Sequence, residues 1–109
     1  MNTLKMKYII SESKIPKVAM IYLDDELGNL NKWVEKVLNT TYMNFSDGDY
    51  TILKVVSSEG EGNYDVYIRK DFFNSFQKMF KLWDARAYEI LDEWVEKKFG
   101  VKVDVVYTF

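Results

Sequence analysis

Residues 18–38 read VAMIYLDDELGNLNKWVEKVL, and the fold turns on how this run is divided. Val18 to Leu23 is six apolar residues without a break, which reads as a strand covered on both faces. From Asp24 the period changes. Asp24 or Asp25 can accept the first free N–H groups of a helix, and Glu26 suits its positive end. Leu27, Leu30, Trp33, Val34, Val37 and Leu38 then recur at three- and four-residue spacings, the stripe of an amphipathic helix. Gly28 weakens the first turn, so this helix begins near Asn29, and it ends around Thr40, where Thr-Thr-Tyr favours extended backbone.

Working outward, Leu4, Met6, Tyr8 and Ile10 alternate with Thr3, Lys5, Lys7 and Ile9, a half-buried strand over 3–10. SESKIP (11–16) ends in the chain's one proline and connects that strand to the next. On the other side, NFSDGD (44–49) is a turn cluster and YTILKVVS (50–57) a β-branched strand. SEGEGN (58–63) supplies two glycines for a hairpin loop, and YDVYIR (64–69) pairs back. Asp71 caps a helix over 72–99, Gly100 stops it, and VKVDVVYTF (101–109) alternates as a last strand.

This order, after the extra N-terminal strand, is β-α-β-β-α-β, which resembles the ferredoxin-like fold. The resemblance implies an α+β domain spanning 1–109, with an antiparallel sheet and two helices on one face. A different α+β sheet, in which 3–10 and 17–23 form a hairpin, is the alternative.

The second helix carries most of the rings. Phe73, Phe76, Phe80, Trp83, Ala87, Ile90 and Trp94 alternate at spacings of three and four, like a coiled-coil seam. At ~1.5 Å per residue the segment would reach about 42 Å, whereas strands of six to nine residues span about 20–30 Å. Either the helix breaks near Asp84, or its far half overhangs the sheet and meets a second copy. With neither glycine nor proline in 72–99, a long straight helix is the expectation. Phe76, Phe80, Trp83, Arg86, Ala87, Ile90 and Trp94 are then the candidate interaction residues, core packing being the plainer account of the stripe.

Composition narrows the chemistry. The 109 residues contain neither cysteine nor histidine, so thiolate chemistry, Cys- or His-ligated metals and histidine acid–base catalysis are excluded. The cytoplasm is the expected compartment, the host's if the protein is viral. Formal charge is −2 with 17% aromatic residues, so no broad phosphate-binding surface is expected. IYLDDEL (21–27) has a partial likeness to the first signature of RNA-recognition sheets, but Tyr64 and Tyr67 fall on opposite faces of a regular strand. Asp24, Asp25, Asp47, Asp49, Glu59 and Glu61 could in principle hold Mg²⁺ or Ca²⁺, yet capping and turn formation explain them. No cofactor is called for, and no apolar run is long enough to span a membrane. The reading is a small non-enzymatic protein–protein interaction module, a regulator, adaptor or inhibitor of viral or mobile-element type, homodimeric through the aromatic helix. A single-stranded nucleic-acid-binding sheet and a carboxylate/metal enzyme are the alternatives.

Overall fold

The computed structural model of the chain describes residues 14–57 and 63–109. Helix α1 runs Ile15–Gly28, followed by strands β1 Asn31–Val37, β2 Thr40–Ser46, β3 Thr51–Ser57 and β4 Asn63–Ile68. Helices α2 Lys70–Phe80 and α3 Asp84–Phe99 lead to β5 Lys102–Thr108. The order α-β-β-β-β-α-α-β, with three helices, overturns the ferredoxin-like expectation. The strands lie in sequence order in one sheet; β1 to β4 form an antiparallel meander and β5 joins β4 in parallel. The expected strand over 3–10 and most of the glycine loop lie outside the described residues.

The correction begins in residues 18–38. Val18 to Leu23 is helical, because Ala19, Leu23 and Leu27 recur every fourth residue and are all buried. Pro16 opens this helix in its first turn, where the missing N–H costs nothing, instead of closing a connection. The stripe from Leu30 to Leu38 is not a helix face. β1 pairs with β2 through a two-residue turn, Val37 opposite Thr40, and every β1 residue is exposed. Leu38 in that turn has φ 55° and is 93% exposed. Hairpin turns of this size usually place Gly or Asn where φ is positive, so Leu-Asn gave no turn signal.

The aromatic segment is two helices. Lys81 adopts a left-handed backbone at φ 53°. The Leu82 N–H donates to Gln77 O at 2.9 Å and the Lys81 N–H to Lys78 O at 3.3 Å, a Schellman ending with lysine in the usual glycine position. Gln77 braces the corner, its Nε2 donating to Asp84 Oδ1 at 2.6 Å. Asp71 stands inside the first turn of α2, paired with Arg69 at 3.0 Å, and is not its cap.

The helices pack on one face of the sheet. Leu23 and Leu27 of α1, Phe73 and Phe76 of α2, and Ile90, Leu91 and Trp94 of α3 join Phe45, Leu53, Val55, Val66, Ile68 and Val103 in one core. Tyr22 lies among the Phe72, Phe76 and Phe80 rings, and Phe99 bridges Trp94 and Phe45. At ~25 cal/mol per Å² and 150–250 Å² per ring, each buried aromatic contributes several kcal/mol before conformational entropy is subtracted.

Candidate functional site

The ring-rich helices leave little for a partner. Phe76, Ala87, Ile90 and Trp94 are buried within the chain, and Phe80 is half-buried against Tyr22. Of the seven expected interaction residues Trp83 alone is exposed, at 77%, while Arg86, which pairs with Glu89 at 3.5 Å, is half-buried like Phe80. The break at Lys81 is the cause: the far half folds back into the core instead of overhanging the sheet.

The opposite face of the sheet is different. Register places Trp33, Asn44, Lys54, Tyr67 and Tyr107 in one row across all five strands, and Glu35, Tyr42, Val56, Asp65 and Val105 in the next. None of the apolar members belongs to the core or packs against it. Among the described residues, no helix covers this face.

Its members organise one another. The Tyr67 and Tyr107 rings stack with centroids 4.9 Å apart and planes 19° from parallel. Partial burial raises the Tyr67 hydroxyl above the usual tyrosine range, and Asp65, Tyr107 and Tyr42 around it act the same way. Lys54 lies with its Nζ 5.9 Å from the Phe109 ring centroid. Trp33 Nε1 donates to Glu35 Oε1 at 2.8 Å, and Asn44 Nδ2 reaches the same oxygen at 3.4 Å. The face is thus apolar, ring-bearing and lightly charged with both signs.

The sequence placed Tyr67 on the strand face opposite Tyr64. Tyr64 does face the core, where it packs against the buried cluster, and Tyr67 faces out. Tyr42 and Tyr107 are brought to Tyr67, and Trp33 to the same face, by strand order and register, which no local pattern carries.

Other surfaces offer less. A groove of about 500 Å³ between α1 and α3 is lined by Met20, Asp24, Trp94 and Lys98, but Asp24 already accepts from Trp94 Nε1 at 2.9 Å and pairs with Lys98 at 3.5 Å. Asp47, expected as a possible metal ligand, instead accepts from the Asp49 and Tyr50 N–H groups at 2.9 and 2.8 Å, and these two bonds hold its carboxyl below the usual range. Among the described residues no three acidic, His or Cys side chains converge as metal ligands would, and no helix is long and apolar enough to cross a membrane. One carboxylate pair stands out: burial, then the neighbouring Glu96, raises Asp92 to about 6, while Glu96 Oε2 accepts the Val103 N–H at 2.9 Å.

No family model, curated protein or solved structure matches the chain. The ferredoxin-like and viral-inhibitor descriptions therefore have neither the topology nor a relative behind them, and both are set aside.

Proposed function

We propose that the protein is a non-enzymatic interaction module that binds protein through the face of its sheet that no described helix covers. The observation that supports this is the two-row patch in which Trp33, Tyr42, Val56, Tyr67, Val105 and Tyr107 stand apart from the core. Contiguous apolar surface of this kind marks contact sites on soluble domains, and Tyr and Trp are enriched where binding energy concentrates. Charges of both signs, Lys54 with Glu35 and Asp65, are interspersed with the rings.

A single-stranded nucleic acid is the second reading, favoured by rings gathered on one face. It is weaker here, because Glu35 and Asp65 sit among the rings and Tyr67 already gives one ring face to Tyr107.

A photo-crosslinking residue in place of Val56, at the centre of the face, tests the first reading inside cells. A discrete heavier protein adduct is expected from that position and none from Glu89 on the exposed side of α3. Equal labelling from both positions would remove the proposal. Fluorescence anisotropy with oligouridylate at low salt tests the second. Salt-sensitive binding lost in Tyr67→Ala would put nucleic acid in place of protein.

A further inference from the structure

We infer that β5 pairs antiparallel with β5 of a second copy, about a two-fold axis at Tyr107, joining two sheets into one ten-stranded sheet. The inference rests on the open face as binding surface, of which β5 is the margin.

Hydrogen-bond phase comes first. The Phe109 N–H donates to Ile68 O at 3.0 Å and Phe109 O accepts from Lys70 N at 2.7 Å, so both of its backbone groups point to β4. Backbone groups alternate along a strand in a parallel ladder, so those of Val106 and Thr108 point the other way. Among the described residues no strand lies there, since β5 ends the sheet.

Side chains select the register. Val105, Tyr107 and Phe109 share the open face and are 38%, 43% and 48% exposed. With Tyr107 opposite Tyr107 of the second copy, Val105 meets Phe109 and Val106 meets Thr108. The Val106 and Thr108 groups then form hydrogen-bonded pairs, four bonds in all. Tyr107 falls on a non-hydrogen-bonded pair, where side chains approach most closely. The Tyr67–Tyr107 stack, whose Tyr107 member is 43% exposed, continues as a four-ring ladder across the axis.

Charge agrees with this register. Residues 105–109 carry no charged side chain, so no like charges are opposed. The other sheet margin lacks this fit: centring β1 on Val34 sets Lys32 against Lys36, and centring it on Glu35 sets glutamates together.

The test uses the full chain. Sedimentation equilibrium at about 100 μM should give a dimer, a concentration at which complexes of micromolar Kd are nearly full. Thr108→Pro removes a free-edge N–H without touching the β4 ladder, deletes two of the four bonds, and should raise the dimer Kd about 30-fold with the circular dichroism spectrum unchanged. Because the chain has no cysteine, Tyr107→Cys should close a disulfide dimer under mild oxidation far faster than Trp33→Cys on β1. A monomer at that concentration overturns the inference, and so does faster cross-linking from Trp33→Cys. A monomer that dimerises only after residues 1–13 are deleted also overturns it, giving the edge to the chain's own N-terminal segment. A monomer that still yields the Val56 adduct leaves the binding face standing without the dimer.

Discussion

Asp92 shows how one side chain can set a pH response. Its carboxyl is half-buried, one oxygen has no hydrogen-bond partner among the described residues, and burial together with Glu96 raises it to about 6. An acid that ionises less readily in the folded chain draws stability from staying protonated. That contribution is whole below the unfolded carboxylate range near pH 4 and is lost as pH climbs through about 6. Asp92→Asn keeps the shape and removes the charge. It should raise stability at pH 7.5 by roughly 1–2 kcal/mol, after allowance for a partly solvated pair, and leave it unchanged near pH 4. Thermal melts of both proteins across that range would check this. Parallel melting curves, with no gain at high pH, would show that the Asp92–Glu96 pair bears no strain.

At the scale of elements, the turn at Lys81 decides what the aromatic segment is for. A non-glycine residue held left-handed costs about 1 kcal/mol, so Lys81→Gly should raise stability by roughly 0.5–1 kcal/mol, read as a few degrees of Tm. A lower Tm would mean that the lysine side chain matters more to this corner than its backbone. The same turn explains what could be read in advance. The β3–β4 pair and β5 were legible, because their alternation and β-branched residues agree with their environment. The α2–α3 break was open only as the alternative near Asp84, and the straight helix was preferred because lysine stands where glycine normally announces the turn. Residues 18–38 misled for two reasons. Leu30, Trp33, Val34 and Val37 mimic a helical period although β1 buries none of its residues, and the Leu38–Asn39 turn lacks a glycine. Pro16 and the Ala19, Leu23, Leu27 spacing were the available signals for α1. Of the candidate site, alternation puts Asp65 with Tyr67 and Val105 with Tyr107 on one face of their own strands; which strands stand side by side is set by pairing distant in sequence.

Across the whole molecule, support falls away towards β1. The helices stop short of it, so even Lys32, Val34 and Lys36, on the helix side of the sheet, are exposed. Amide hydrogen exchange should register that gradient, with β3 and β4 protected at least about 100-fold more than β1. Uniform protection over β1 to β4 would mean that something holds the β1 margin in solution. The parallel pairing at the opposite margin bears on how the chain reaches this state at all. Asn63 pairs with Lys102, and everything between them must form two helices and a corner before that ladder can close. Antiparallel neighbours joined by short turns close quickly, whereas contacts distant in sequence must first overcome a long loop. During synthesis, β5 follows every element it packs on. Until it leaves the ribosome, β4 is the margin of the described sheet, with Tyr67 unstacked and its backbone open to any extended chain nearby, so the nascent protein is most prone to mispairing before residues 102–108 emerge.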